Sequence, residues 1–451
     1  MEIFYKGEEG RDSIAMQYHV IVYGCQMNIS DAERVSAVLE SIKYKRTPDI
    51  NRADLIVVVM CSIRQSAVNR VQGLMQKFEE MKKKKPTLKT ILTGCVLKKD
   101  RKLFIEGFNY VIDIKGIGQL PILLSEMMNF SISREKFITE RYLDITPKHS
   151  SKFSASVPIM TGCNNFCAYC VVPYARGREI SRPAQDIVQE IKGLTKPISS
   201  RLRGAREIWL LGQNVNSYKD PSTSSGQVIN FPALLKLINN IPGNFWIRFT
   251  SSHPKDFTNE VIDTIAIGEK ITPYLNLPIQ SGDDKILKLM NRHYTVADYK
   301  NKIKKLREKI PGICLSTDII VGFPGETKKQ FNNTIKLFQE MKYDMAYISK
   351  YSPRPGTAAT KLKDNVSIIE KKRREKVLND ILKQTALENN KKYIGKINTV
   401  LIDGKDKGDW IGKNKHYKTV RIKCNKNLLG KFIKVKITKA LPWSLVGKII
   451  N

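Results

Sequence analysis

No run of about eighteen apolar residues occurs, the length a helix needs to cross a bilayer, so no membrane span is expected. Met1 to Gln17 are mixed and charged and lack the apolar core of a secretory signal. Cysteine is sparse: eight in 451 residues do not make a disulfide framework in so long a chain. A reducing, cytoplasmic setting is therefore expected. A glycine-rich phosphate loop of the Walker type is absent, which disfavours nucleotide hydrolysis. There is no obvious Ser-His-Asp constellation. Acidic residues are also few, 43 Asp plus Glu against 77 Lys plus Arg, which leaves a formal charge of +34. Such a field attracts polyanions and speeds their encounter, so nucleic acid is the expected partner. A general habit of lysine-rich composition is the alternative reading.

The length allows two or three domains. In the first segment, residues 18–130, apolar runs alternate with helical patterns. Tyr18 to Tyr23, Leu55 to Val59 and Leu88 to Leu92 read as strands, with Val111 to Ile114 as a further candidate. Asp31 to Ile42, Ser66 to Lys83 and Leu120 to Phe130 read as helices. The rhythm predicts an α/β domain with a parallel sheet. Cys25, Cys61 and Cys95 each follow a predicted strand, at gaps of 36 and 34 residues. In a parallel sheet those strand ends point the same way, and ligands bind beyond them. The three thiols can therefore converge on iron–sulfur or zinc, or stand as three separate structural cysteines.

Residues 131–154 are polar and read as a linker. From 155 to 385, five strands (Ile208 to Leu211, Trp246 to Thr250, Tyr274 to Leu277, Cys314 to Ile320, Met345 to Ile348) alternate with helices. The helical patterns are Asp186 to Leu194, Phe231 to Asn239, Lys285 to Met290, Val296 to Lys309 and Lys328 to Met341. A full or partial β/α barrel is expected, with an open Rossmann-like sheet as the alternative. Ile368 to Lys392 reads as a long surface helix. The end of the chain, 386–451, has short strands at Asn398 to Ile402, Lys418 to Lys423 and Phe432 to Thr438, punctuated by glycines. It predicts a small β-barrel. From Lys391 onward it carries 16 Lys plus Arg against three Asp, which suits an RNA-binding surface.

The densest chemistry lies at Pro158: P-I-M-T-G-C-N-N-F-C-A-Y-C-V-V-P-Y. Cys163, Cys167 and Cys170 in C-x3-C-x2-C spacing can hold three corners of a cubane cluster and leave the fourth iron open. Structural clusters and structural zinc more often have four protein ligands, and no histidine lies close enough in sequence to be the fourth. The motif, with Tyr169 before the last cysteine, resembles the signature of the radical S-adenosylmethionine superfamily. Further segments resemble its methylthiotransferase family across nearly the whole chain. They are Y-G-C-Q-M-N, C-S-I-R and T-G-C-V around the first three cysteines, then V-V-P-Y-A-R-G-R-E-I-S-R-P from Val171 and L-G-Q-N-V-N-S-Y from Leu211. R-F-T-S-S-H-P from Arg248, L-P-I-Q-S-G from Leu277, D-I-I-V-G-F-P-G-E-T from Asp318 and Y-S-P-R-P-G-T from Tyr351 complete the set.

The resemblance implies two [4Fe–4S] clusters. One is a radical cluster on Cys163, Cys167 and Cys170, whose open iron binds S-adenosylmethionine. The other is an auxiliary cluster on Cys25, Cys61 and Cys95. It implies a TRAM-like terminal barrel, the anticodon stem-loop of tRNA as partner, an electron donor and a sulfur donor. The implied reaction uses two S-adenosylmethionine molecules per product, one for the methyl group and one for the radical. It places a methylthio group on C2 of N6-isopentenyladenosine at position 37 of tRNA. Variants of the family act on threonylcarbamoyladenosine or on a ribosomal protein, and a noncatalytic iron–sulfur RNA-binding protein is the competing class. A monomer is expected. Val59-Met60 and Leu97-Lys98 depart from the family's usual Asn-Thr and Ala-Gln neighbours of the second and third cysteines, so hydrogen bonding around that cluster should differ.

Beyond the cysteines the candidates are weaker. Tyr169, Gln213, Asn214, Ser251, Ser252, Asp318, Ile320 and Val321 are expected around the cofactor. Arg176, Arg178, Arg182, Gln280, Arg292 and Arg354 are expected to meet substrate or the cofactor carboxylate, because a guanidinium matches carboxylate and phosphate. Strand-to-helix turns, helix caps and surface salt bridges are the plainer readings of the same residues. His253 is not expected to bind metal, and His293 reads as part of a surface turn.

Overall fold

All seven residues of Leu55–Cys61 (LIVVVMC) are buried, as a strand covered on both faces of a parallel sheet requires. In the computed structural model, which describes residues 16–128, 142–197, 204–222 and 228–450, this run is the central strand of a five-stranded sheet. The strands are β1 (Gln17–Tyr23), β2 (Lys45–Arg46), β3 (Leu55–Cys61), β4 (Lys89–Cys95) and β5 (Tyr110–Val111). They are ordered β2-β1-β3-β4-β5, and every pairing is parallel. Helices α1 (Gln26–Ser41), α2 (Gln65–Lys84), α3 (Lys98–Phe104) and α4 (Leu120–Met128) connect or follow them.

The chain divides into two compact units. The first comprises residues up to 150 with 161–163 and 171–179, and the second comprises 151–160, 164–170 and 180 onward. Of the stretch expected as a linker, 131–141 lie outside the described residues, whereas Tyr142, Leu143 and Ile145 are buried in the first unit's core. That unit also holds the short helix α5 (Val172–Arg176).

Helix α1 starts five residues before the expected Asp31. Cys25 is its N-cap, and the Cys25 backbone N–H donates to Asn28 Oδ1 (3.2 Å). The polar run Asn28, Ser30, Asp31, Glu33, Arg34 hid this start from a search for apolar periodicity, because these polar side chains are buried.

In the second unit, β6 (Ser154–Pro158) precedes the cysteine loop, which two-residue strands β7 (Met160–Thr161) and β8 (Ile180–Ser181) flank in sequence. The strands β9 (Glu207–Leu211), β10 (Trp246–Phe249), β11 (Tyr274–Asn276), β12 (Cys314–Val321) and β13 (Met345–Lys350) follow. They form two parallel sheets, β6-β9-β10 and β11-β12-β13. A parallel bridge between Ile247 and Ile271 joins the two into one arc. Among the described residues no pairing closes β13 onto β6, so the arc is a partial β/α barrel.

Helices α6 (Ala184–Thr195), α7 (Phe231–Asn239), α8 (Asn259–Ile267), α9 (Asp284–Leu289), α10 (Val296–Lys309) and α11 (Lys328–Met341) alternate with the strands. Three of them begin at the expected residues because Asn230, Thr295 and Thr327 cap them through their side chains. Helix α8 was not anticipated, although Thr258 caps it and Val261, Ile262 and Ile265 form its buried face. Helix α12 (Ile368–Lys391) leads to a closed five-stranded barrel of β14 (Ile397–Asp406), β15 (Asp409–Asn414), β16 (Thr419–Ile422), β17 (Phe432–Ala440) and β18 (Leu445–Ile449). Its interior is apolar, with Val400, Ile402, Val420, Ile422, Val435 and Leu445. The strands β15 and β18 are additions to the expected pattern.

One buried arginine joins the partial barrel to the terminal barrel. Arg248 donates to Glu207 (2.6 Å), Thr272 Oγ1 (3.0 Å) and the carbonyls of Asn414 (2.8 Å) and Lys415 (2.9 Å). Its guanidinium lies over the rings of Trp209, Trp246 and Tyr417. Glu207 also accepts from Trp209 Nε1 and Ser154 Oγ, so the buried pair is well satisfied.

Candidate cluster and cofactor sites

Cys61 and Cys95 are the last residues of neighbouring parallel strands and directly opposite partners. The Cys95 thiol hydrogen-bonds the Cys61 sulfur, which pushes Cys61 down and Cys95 up in pKa. Cys25 caps the helix that leaves the adjacent strand, and burial pushes its thiol up. Asn28 ties two of the three together, accepting from Cys25 Sγ (3.4 Å) while its amide faces Cys95 Sγ (3.7 Å). The parallel sheet thus brings together three cysteines that are far apart in sequence. Gly94 permits the approach: its φ is +110°, and a Cβ there would lie 2.4 Å from the Met60 carbonyl.

A buried polar network lies against these thiols. Arg176 Nε donates to Cys95 Sγ (2.9 Å), and Arg176 Nη2 donates to Asp31 (2.5 Å). Tyr142 Oη also donates to Asp31. Arg34, fully buried, bonds Ser30 and stacks over Tyr142. Arg176 therefore sits inside the first unit, 2% exposed, rather than on an open surface where phosphate would reach it. Asn28, Asp31 and Tyr142 were not singled out from sequence. The spacing of Cys25, Asn28 and Asp31 over the first turns of a helix is the signal that could have found the first two.

The C-x3-C-x2-C loop is held by its backbone. Cys163 N–H donates to the Gly177 carbonyl (3.1 Å), and Gly162 takes φ +83° where a Cβ would meet the Arg178 carbonyl at 2.0 Å. In the second unit, Cys170 N–H donates to the Cys167 carbonyl, and Ala168 bonds Met290 and Ala359. Asn291 donates to the carbonyl of Phe166 (3.0 Å), a residue at φ +47°. Lys255 donates to Asn165 Oδ1 (2.8 Å). Arg292, 7% exposed, donates to Cys167 Sγ (3.4 Å), while its other groups bond Tyr294 (2.6 Å) and the Pro278 carbonyl (2.7 Å). Tyr169 packs against the cluster of Ala168, Met290, Phe323 and Tyr351.

At the carboxyl ends of β9 and β10 several buried polar atoms have no hydrogen-bond partner: Asn214 Oδ1, Asn216 Nδ2, Ser252 Oγ and His253 Nε2. Buried polar atoms are almost always bonded, so orphans on two adjacent strand ends call for a polar ligand or water. Burial pushes His253 down to about 2, with Arg292 and Lys255 adding to the effect, so the ring is neutral. Ser251 is held at φ +65° and Gln280 at φ +73°, both strained for non-glycine residues. Gln280 is gripped through its backbone by Asp318 and Ile320 of β12, and Asp318 accepts from Asn276 (3.1 Å). Val321 is buried at the end of the same strand, and Gln213 is half-buried beside Asn214. Arg182 is taken up internally by Glu190 (2.7 Å) and the Pro158 carbonyl (2.9 Å). Arg178 is exposed and Arg354 half-exposed.

Family models match three regions. The Radical SAM superfamily covers residues 157–338, Uncharacterized protein family UPF0004 covers 17–114, and the TRAM domain covers 391–450. Among curated proteins, the tRNA-2-methylthio-N(6)-dimethylallyladenosine synthase of Buchnera aphidicola subsp. Baizongia pistaciae is 39% identical, over 95% of this chain and 97% of its own. The protein of the same name from Clostridium tetani is 40% identical over 96% of each. The chain belongs to this family. It is an enzyme of the radical S-adenosylmethionine class, with two [4Fe–4S] clusters and S-adenosylmethionine as cofactors. Its terminal barrel coincides with an RNA-binding TRAM domain. Among solved structures, the radical S-adenosylmethionine methyltransferase TsrM from Kitasatospora setae matches with a TM-score of 0.52 at 14% identity, over 77% of this chain and 74% of its own. That likeness concerns the fold alone. Among the described residues no helix is long and apolar enough to cross a membrane.

The residues present fit these groups. Three gathered thiols beside the buried Arg176 suit an anionic sulfur-ligated cluster, and the orphaned polar atoms beyond β9 and β10 suit the polar end of a bound cofactor. Among the described residues no three His, Cys, Asp or Glu are arranged around a single metal ion.

Proposed function

We propose that this enzyme attaches a methylthio group to C2 of N6-isopentenyladenosine in the anticodon loop of tRNA. The observation that carries this reading is similarity over nearly the full length of proteins bearing that activity in their names. When bound, the two clusters and S-adenosylmethionine supply one-electron cleavage, sulfur and the methyl group.

The chain's own residues do the rest. Cys25, Cys61 and Cys95 hold the auxiliary cluster, and Cys163, Cys167 and Cys170 hold the radical cluster. Asn214, Ser252, Gln213, Ser251, Asp318, Ile320, Val321 and Tyr169 position the S-adenosylmethionine. The orphaned polar atoms of Asn214 and Ser252 support this role, because a ligand would satisfy them. Arg292 acts at Cys167 rather than on substrate, since its donors are committed to the Cys167 sulfur, Tyr294 and Pro278. Gln280 braces β12. Arg178 and Arg354 are the site arginines with exposure suited to RNA phosphate. The basic barrel grips the tRNA backbone, and the target base leaves its stack to reach the pocket. An electron donor and a sulfur donor act in trans.

The test is mass analysis of tRNA nucleosides from a deletion strain, with and without a plasmid copy of the gene. Loss of the methylthio-isopentenyl nucleoside, accumulation of isopentenyladenosine and restoration by the plasmid are expected. Unchanged methylthio product in the deletion strain would sink the assignment.

A further inference from the structure

The arginine that follows the C-x3-C-x2-C motif contacts a cysteine of the other triad. Arg176 lies six residues after Cys170 in sequence, yet belongs to the compact unit that contains the auxiliary cysteines. Its Nε–H points at Cys95 Sγ from 2.9 Å. The opposite edge of the guanidinium is clamped by Asp31, at 2.5 Å and 3.4 Å. Asp31 is itself fixed, since Tyr142 and Asn28 both donate to it. Arg176 is 2% exposed and Asp31 fully buried. A single guanidinium held at both edges in a dry environment has one orientation open to it.

The charge count adds to the geometry. Arg176 and Arg34 bring two buried positive charges to this network against the one negative charge of Asp31. A cluster held by three thiolates brings net negative charge, which that excess positive charge stabilises. Hydrogen bonds and positive charge at a ligand sulfur favour the reduced, more negative state of a cluster.

We propose that Arg176 is a positioning residue of the auxiliary cluster: it orients Cys95 and raises the cluster's reduction potential, with Asp31 as its anchor. This rests on the assignment of that cluster to Cys25, Cys61 and Cys95. Because Arg176 is carried by α5, directly after the radical-cluster cysteines, the chain segment that follows one cluster sets the electronic state of the other.

The experiment uses the full-length chain, reconstituted anaerobically, with Cys163, Cys167 and Cys170 changed to alanine so that one cluster signal remains. The midpoint potential is measured by redox titration followed by electron paramagnetic resonance. Arg176→Gln is expected to keep the iron and lower the potential, and Arg176→Lys to recover part of the loss. An unchanged potential in Arg176→Gln overturns the proposal. If Arg176→Gln does not fold, Arg176→Lys decides alone, and a potential equal to the parent's overturns it. A parent with no remaining cluster overturns the auxiliary assignment itself, which separates that failure from the failure of Arg176.

Discussion

A cysteine thiol becomes a good iron ligand when it can lose its proton and when its position is paid for by the surrounding fold. Cys61 meets the first condition through the hydrogen bond from Cys95, which lowers its pKa. Cys95 meets the second through Arg176. Changing Cys163, Cys167 and Cys170 to alanine should remove about four of about eight iron atoms and abolish reductive cleavage of S-adenosylmethionine. Iron analysis beside product chromatography checks this, and retained cleavage would refute the radical assignment. His253 yields a pH prediction. Burial holds it down to about 2 in the folded chain, against about 6.5 when unfolded. Below about 6.5 the unfolded chain takes up a proton that the folded chain refuses, so this histidine's contribution is full above that pH and lost as pH falls. His253→Asn should therefore lose less stability than the parent between pH 7 and pH 5. Urea midpoints at the two values measure it, and equal losses would count against a buried neutral ring.

At the scale of elements, the helices were most legible where a capping side chain precedes an apolar stripe. Thr295 with Asp298 and Thr327 with Gln330 form capping boxes, and α10 and α11 span the expected residues. Helix α1 was less legible because the face that carries Asn28, Asp31 and Arg34 is polar and buried at once, and only a tertiary partner makes that affordable. The cysteine loop depends on a backbone state that its spacing does not reveal. Gly162 sits at φ +83° against the Arg178 carbonyl. Gly162→Ala should destabilise the loop by about 1–3 kcal/mol and reduce radical-cluster loading. Iron content and denaturant midpoint together test it; full loading at parental stability would show that the contact can relax.

At the scale of the whole molecule, Arg248 links the partial barrel to the terminal barrel. It bonds Glu207 in the partial barrel and two carbonyls beside the terminal barrel, with three aromatic rings around it. Arg248→Met should cost about 3–5 kcal/mol, because Glu207 is left buried without its counter-charge. Chemical denaturation gives the number, and a loss below about 1 kcal/mol would mean that water replaces the arginine. The same contacts make removal of the terminal barrel a blunt probe of RNA binding, since Tyr417 and Asn414 leave with it. Lys434 and Lys436, exposed on alternate positions of β17, are a cleaner test. Changing both to glutamine should weaken tRNA binding and reduce its log–log salt slope by up to about 0.9 per lost phosphate contact. A slope unchanged in filter binding would place the RNA contacts on another face.

The local spacing of Cys163, Cys167 and Cys170 was enough to suggest an open-corner cluster, because three ligands on one short loop need no fold to bring them near each other. The strand-end positions of Cys25, Cys61 and Cys95 suggested a shared site for a related reason, since the direction of a parallel sheet is readable from its repeat length. What surrounds those sulfurs was decided by tertiary structure alone. Arg176 and Arg292 looked like substrate contacts because a guanidinium in sequence carries no mark of what it faces. Folding turns one onto Cys95 and the other onto Cys167, since a buried charge must find its partners wherever the packed chain supplies them.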